Sequence, residues 1–130
     1  MSVRLNHTIV WCKDQQVAAT FLADTLGLAA PTRFGPFLVV TAANDISLDF
    51  HETDGVVASQ HYAFLVTEDD FDEIFGPMTA GGLDYWADPG QSRSQEIVTV
   101  QVPPGSQTCP SNSWRRPSRT SWRCFFMVET

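Results

Sequence analysis

The chain has few basic residues, few cysteines and no long hydrophobic run. Eight Lys and Arg residues against fifteen Asp and Glu residues give a formal net charge of −7. This balance disfavours nucleic acids and anionic membrane surfaces as partners, because both require clustered positive charge. The three cysteines, Cys12, Cys109 and Cys124, fit neither a disulfide framework nor a zinc knuckle, so we interpret them as thiols. These absences favour a small molecule as the partner.

Signals for membrane insertion and secretion are also missing. No segment approaches the roughly 20 apolar residues of a transmembrane helix, and the first four residues lead directly into a predicted strand rather than a signal peptide. We therefore expect a cytoplasmic protein. The 130 residues, of which 43% are hydrophobic, suffice for one domain with its own core.

A repeated segment is the most informative feature that the chain does contain. Residues 6–12 read Asn-His-Thr-Ile-Val-Trp-Cys and residues 60–66 read Gln-His-Tyr-Ala-Phe-Leu-Val, and each segment leads into an acidic helix start and then a phenylalanine. The offset from His7 to His61 is 54 residues. Each copy predicts a strand that begins near a histidine and is followed by a helix. Two equivalent histidines in a pseudo-symmetric fold predict a metal site shared between the two modules.

The first copy predicts a helix between two capping residues. Asp14 is a good N-cap and Gly27 a good C-terminal cap, and the spacing of apolar residues between them predicts a buried stripe of Val17, Phe21 and Leu22. The second copy predicts an equivalent helix with Thr67 as its N-cap and Phe71, Ile74 and Phe75 as its buried stripe. Two ends are open for this helix: Gly81-Gly82, or an earlier end or kink at Gly76-Pro77.

The sequence predicts strands on both sides of this first helix. One runs from Arg4 to Cys12, another from Phe37 to Thr41 after a Gly35-Pro36 turn, and a third from Ile46 to Glu52. In the third strand Leu48 and Phe50 face one way while Ser47, Asp49 and His51 face the other, because strand side chains alternate. We expect the apolar face to pack on the helix, and another strand to begin at Tyr85-Trp86.

Six segments of the sequence carry a family resemblance: 5–10, 21–28, 35–37, 47–50, 60–66 and 82–89. Their order resembles the vicinal oxygen chelate superfamily, which holds glyoxalase I, bleomycin-resistance proteins and extradiol dioxygenases. They look most like a small bacterial subgroup that includes an oxygenase of chartreusin biosynthesis. The resemblance implies an α+β fold in which two βαβββ modules form a curved mixed sheet around a cavity. It implies a single domain over 1–130, with module one at about 3–52 and module two at about 60–130.

The resemblance also implies a metal site, because the family's metal ligands lie on the first and last strands of the modules. By position, this chain offers His7, Asp49 and His61. Two histidines and a carboxylate on one face of a metal form the arrangement of non-haem Fe(II) oxygenases, so Fe(II) is the favoured ion. The same ligands holding Mn, Ni or Zn would supply a Lewis acid for lyase or isomerase chemistry.

Three more residues are candidates for contact with the substrate. His51 shares a strand face with Asp49 and is the predicted acid–base group, and Trp11 and Trp86 are predicted to stack on an aromatic substrate. Each candidate also has a simpler interpretation. A histidine at a strand end is often inert, an aspartate is often only solvated, and large aromatic residues are more often part of the core. Members of this superfamily often pair, so we also expect a homodimer.

The tail from about residue 98 departs from the family pattern. Residues 103–121 contain four prolines and five serines, and the charge changes from 3 basic and 13 acidic residues in 1–91 to 5 and 2 in 92–130. A final strand over residues 123–130 would offer Glu129 as the glutamate ligand that the family normally places there. Alternatively, the tail is translated in a shifted frame, because codons for residues 120–124 displaced by two bases can spell His-Leu-Met-Glu-Met.

Three functions therefore remain open at the level of sequence. The first is a metal-dependent oxygenase or lyase that acts on a small, oxygen-bearing molecule such as an aromatic one. The second is a metal-free protein that sequesters a drug-like molecule, as the resistance proteins of the superfamily do. The third is an inactive product with a frameshifted tail.

Overall fold

The computed structural model describes residues 2–85, 92, 94–96 and the strand at 122–129. The chain divides into two compact units, Met1–Ala58 and Ser59–Thr130. The first unit contains β1 (His7–Cys12), α1 (Gln15–Leu26), β2 (Thr32–Phe34), β3 (Phe37–Thr41) and β4 (Ser47–Glu52). The second unit contains β5 (Gln60–Thr67), α2 (Glu68–Ala80) and β6 (Trp122–Glu129). Within the described residues, no helix combines the length and the apolar character needed to cross a bilayer.

The strands of the first unit form one mixed sheet in the order β1-β4-β3-β2. The pairs β2–β3 and β3–β4 are antiparallel, whereas β4 runs parallel to β1. A parallel neighbour needs a long crossover, which α1 and the β2–β3 hairpin supply. The α+β class and the βαβββ order predicted for module one are confirmed.

Helix α1 begins and ends at the two capping residues that the sequence predicts. The Asp14 carboxylate accepts a hydrogen bond from the Val17 amide at 3.0 Å. At the other end Gly27 adopts a left-handed conformation with φ of 64°, and the Leu28 amide donates to the Ala23 carbonyl at 2.8 Å. The helix boundaries are therefore set locally, by one carboxylate and one glycine.

The core of the first unit lies between α1 and one face of the sheet. The buried helix residues are Ala19, Leu22 and Ala23, and the buried sheet residues are Val10, Cys12, Leu38, Val40, Leu48 and Phe50. The predicted helix stripe is wrong at two of its three positions, because Val17 is 66% exposed and Phe21 is 40% exposed. Two alanines face the sheet instead, and their small side chains let the helix lie close to it.

The second unit pairs β5 and β6 in antiparallel orientation, with α2 lying against both strands. Thr67 is the N-cap of α2, as predicted, and its hydroxyl accepts from the Asp70 amide at 3.1 Å. Phe71 and Ile74 are buried, and Phe75 is half-buried and stacks on Phe71 with ring centroids 5.5 Å apart. The predicted stripe of this helix is therefore present. The predicted strand at 85–86 lies mostly outside the described residues, because Trp86 is not among them.

Candidate functional site

The sheet of the first unit has one buried face and one open face. Strands β1 and β4 pair so that His7 aligns with Ser47, Ile9 with Asp49, and Trp11 with His51. Paired residues share a face, and successive residues alternate between the two faces. The open face is formed by His7, Ile9 and Trp11 from β1, Ser47, Asp49 and His51 from β4, and Phe37, Val39 and Thr41 from β3. Four predicted functional residues therefore share this face: His7, Trp11, Asp49 and His51.

One end of the open face is polar and holds two candidate metal ligands. The Nδ1 atom of His7 lies 2.7 Å from Asn6 Oδ1, and the Ser47 hydroxyl donates to Asp49 Oδ1 at 2.9 Å. An amide oxygen only accepts, so Nδ1 of His7 is the donor in this contact, and of the two neutral tautomers the contact favours the one with its proton on Nδ1 and its lone pair on Nε2. The polar end thus presents the Nε2 edge of an imidazole and a carboxylate that is oriented by a hydrogen bond.

The other end of the open face is aromatic and is centred on His51. The imidazole lies 4.9 Å from the Trp11 ring and 5.1 Å from the Phe37 ring, measured between centroids. Its Nδ1 atom lies 2.9 Å from the Glu52 carbonyl oxygen. A carbonyl oxygen cannot donate, so Nδ1 of His51 is the donor, and the contact again favours the neutral tautomer with its lone pair on Nε2. Trp11 is 42% exposed, which leaves part of its indole available to a ligand.

The chemistry-bearing side chains of this face remain in contact with solvent. Among the residues whose side chains the structure describes, none that is polar or charged is fully buried. His7 is exposed, and Asp49 and His51 are half-buried. Such groups keep part of their hydration, so they are accessible to an ion or a substrate that approaches from the open face.

The third predicted ligand, His61, lies on β5 in the second unit and is exposed. The neighbouring residues are arranged differently from those around His7, because the Gln60 amide oxygen accepts a hydrogen bond from the Tyr62 hydroxyl. In the β5–β6 register, Val128 is the partner of His61, and Glu129 is the partner of Gln60. Of the predicted substrate contacts, Trp11 is on the open face and Trp86 lies outside the described residues.

The described residues contain no group of three or more His, Cys, Asp or Glu side chains placed to hold a metal ion. His7 and Asp49 are thus two candidate ligands on one sheet face. That His7, Asp49 and His61 together bind one metal ion stays a prediction.

Comparison with known proteins identifies the family. No protein-family model matches the chain. The solved structure of oxidase ChaP-H1 is 59% identical, with a TM-score of 0.71 over 73% of this chain and 77% of ChaP-H1. The chain belongs to the vicinal oxygen chelate superfamily. Within this superfamily it groups with the ChaP oxidases, as the sequence segments predict, because oxidase ChaP-H2 is also 52% identical, with a TM-score of 0.71 over 74% of this chain and 76% of ChaP-H2.

A curated member of the vicinal oxygen chelate superfamily is more distant. Glutathione transferase FosA of Serratia marcescens is 30% identical over 63% of this chain. The chain spans 62% of the length of FosA. Members of the superfamily use divalent metal ions, act on small molecules and are often dimeric.

The structure adds three residues to the site that sequence reasoning did not select. Asn6 and Ser47 contact the two candidate ligands, and Phe37 contacts His51. A polar residue precedes the histidine in both copies of the repeat, and this is the sequence signal from which Asn6 could have been selected. Phe37 and His51 are far apart in sequence, so only the pairing of β3 with β4 reveals their contact.

Proposed function

We propose that this chain is a metal-dependent oxygenase, or else a lyase, that acts on a small aromatic molecule carrying adjacent oxygen atoms. The observation that carries this proposal is the division of the open face into a polar end with His7 and Asp49 and an aromatic end with Trp11, Phe37 and His51. A ligand with a planar ring and oxygen substituents matches both ends. In this proposal the chain is one domain over 1–130, with modules at about 3–52 and 60–130.

The donor set fits a divalent transition metal. His7 offers Nε2, because its Nδ1 is hydrogen-bonded to Asn6, and Asp49 offers carboxylate oxygens. With His61 these residues would complete two imidazoles and one carboxylate, for which Fe(II) is the favoured ion and Mn, Ni or Zn the alternatives. When bound, the ion would polarise the substrate oxygens and, as Fe(II), would allow reaction with dioxygen.

The aromatic end would hold the substrate and move its proton. Trp11 and Phe37 offer ring surfaces on which a planar substrate stacks, because aromatic rings attract one another in offset and edge arrangements. His51 offers Nε2 as the general base for a substrate hydroxyl, since the Glu52 carbonyl holds its Nδ1 proton. Partial exposure of Trp11 leaves room for the ligand.

Metal content is the direct test of the enzyme proposal. Protein purified without oxygen, reconstituted with Fe(II) and dialysed should retain about one ion per chain by elemental analysis. Three variants should each lose most of the bound iron, because each lacks one proposed ligating side chain. They are His7→Ala, Asp49→Ala and His61→Ala. His51→Gln is the matched control, since it alters the same sheet face without removing a proposed ligand. Full retention of iron by His7→Ala or His61→Ala would refute the ligand assignment.

Metal-free binding of an aromatic molecule is the second candidate function. Two observations favour it: the described residues contain no three-ligand group, and the cluster of Trp11, His51 and Phe37 needs no metal to form. In this case an aromatic probe such as a dihydroxynaphthalene should quench tryptophan fluorescence equally in chelator-treated wild type and in His7→Ala, and Trp11→Phe should identify the part of the quenching that comes from Trp11 among the four tryptophans. Phe37→Ala should weaken the quenching. Dependence of probe binding on added metal would instead support the enzyme.

A homodimer belongs to the enzyme proposal as well, and light scattering of the purified chain tests it directly.

The third candidate, an inactive product of a frameshift, is supported by the antiparallel β5–β6 pair, which differs from the parallel β1–β4 pair of the first unit. Resequencing of independent clones tests this candidate, because an uninterrupted reading frame in all of them would contradict it.

A further inference from the structure

Two side chains outside the predicted ligand set contact the candidate ligands of the first unit. Asn6 Oδ1 lies 2.7 Å from His7 Nδ1, and the Ser47 hydroxyl donates to Asp49 Oδ1 at 2.9 Å. The Ser47 amide also donates to the Asn6 carbonyl at 3.0 Å, so the two pairs are joined through the backbone. His7 and Ser47 are partners in the β1–β4 register. The four residues therefore form one connected polar cluster.

We propose that Asn6 and Ser47 are positioning residues that hold His7 and Asp49 ready to bind a divalent cation. This inference rests on the proposed function, because it concerns the same site. Asn6 keeps the proton of His7 on Nδ1 and leaves the Nε2 lone pair for the cation. Ser47 holds one carboxylate oxygen of Asp49 and leaves the other oxygen for the cation.

The physical reason is the effect of outer hydrogen bonds on metal ligands. A ligating imidazole binds through one nitrogen while the other donates to an oxygen, which fixes both the tautomer and the ring orientation. A ligating carboxylate is commonly hydrogen-bonded in the same way. Loss of such an outer partner typically weakens metal binding about 10–100-fold, because the ligand must then be ordered when the metal binds.

The role of Asn6 can be tested in the metal-free protein. The chain contains three histidines, so long-range 1H–15N NMR resolves their ring nitrogens, and His7→Gln assigns the His7 signals. At a pH where the imidazoles are neutral, wild type should show His7 protonated at Nδ1. Asn6→Ala should shift His7 toward the Nε2–H tautomer, whereas Asn6→Asp should retain the Nδ1–H form because it keeps an acceptor oxygen. A predominant Nε2–H tautomer in wild type would overturn the role of Asn6.

The role of both residues can be tested with Zn²⁺ alone, titrated against a chelating dye. Asn6→Ala and Ser47→Ala should each weaken Zn²⁺ binding about 10–100-fold. Ser47→Thr should recover most of the affinity, since it keeps the hydroxyl. Thr41→Ala is the matched control, because Thr41 is the β3 partner of Ser47 and carries a hydroxyl on the same face. Unchanged affinity in Ser47→Ala, or an equal loss in Thr41→Ala, would overturn the role of Ser47.

The two tests separate this inference from the proposed function. A wild-type chain that binds neither Zn²⁺ nor Fe(II) would contradict the metal-dependent enzyme and would overturn Ser47 as a positioning residue. The His7 tautomer is measured without metal, so its dependence on Asn6 is decided independently of that outcome.

Discussion

Val10→Ala should destabilise the chain strongly, because Val10 is only 2% exposed at the centre of β1. The substitution removes two methyl groups from the core. At about 0.8 kcal/mol for each buried carbon, the loss of burial amounts to about 1.6 kcal/mol. The remaining cavity raises the expected loss to about 2–3 kcal/mol. With an unfolding entropy of about 2.1 cal/mol/K per residue, this lowers the Tm by about 7–11 °C if the chain unfolds as one unit.

Val56→Ala is the matched control for this prediction. Val56 lies in the same unit and is 97% exposed, so the same two methyl groups are removed from water rather than from the core. The expected change in unfolding free energy is within about 0.5 kcal/mol. Thermal unfolding followed by circular dichroism measures both variants against wild type. Equal Tm shifts for Val10→Ala and Val56→Ala would refute the assignment of Val10 to the core.

Three further predictions concern the ends of α1 and the end of the chain. Gly27→Ala should lower the unfolding free energy by about 1–2 kcal/mol, because a residue with a side chain is strained at φ of 64°. The loss comes from the backbone alone, since an added Cβ would contact nothing within 4 Å, and urea unfolding measures it. Asp14→Ala should lower it by about 1 kcal/mol through loss of the N-cap, and Asp14→Asn should largely preserve stability in the same assay. Glu129→Gln should leave iron content unchanged while His61→Ala reduces it, because the register partner of Glu129 is Gln60; parallel loss of iron in both variants would contradict this reasoning.

Local sequence signals predicted the first unit well. The Asp14 carboxylate and the left-handed Gly27 set the ends of α1 through contacts with the helix's own backbone, so no tertiary information was needed. Strand β3 was predicted at its observed ends, and the alternation of β4 identified its buried residues Leu48 and Phe50. The residue pattern did not locate β2, which only the family resemblance implied, because its three residues are all exposed and give no apolar alternation.

The buried stripe of α1 shows where sequence patterns stop being sufficient. Val17, Phe21 and Leu22 have helical spacing, but so do Ala19, Leu22 and Ala23. Hydrophobicity alone favours the first set because its side chains are larger. The sheet selects the second set, because alanines let the helix approach the strands closely and pack at interior density. The choice between two apolar faces was therefore made by tertiary packing.

Part of the candidate site was likewise predictable from strand periodicity. Asp49 and His51 are two residues apart on β4, so they had to share a face. The parallel β1–β4 pair then adds His7 and Trp11 to that face, which required the pairing direction and the register. The aromatic contact of Phe37 with His51 required a third strand. Both pairings join residues that are far apart in sequence, 40 positions for Trp11 and His51 and 14 positions for Phe37 and His51, and no local pattern reports on contact over such distances.

The two copies of the repeat have the same beginning but different strand pairing. In the first unit β4 returns parallel to β1 and brings Asp49 to the face that carries His7. In the second unit β6 runs antiparallel to β5, and the partner of His61 is Val128. Among the described residues of β6, the one carboxylate-bearing residue, Glu129, aligns with Gln60 and not with His61. For the proposed metal site we therefore assign the carboxylate to Asp49, which shares a sheet face with His7, rather than to Glu129.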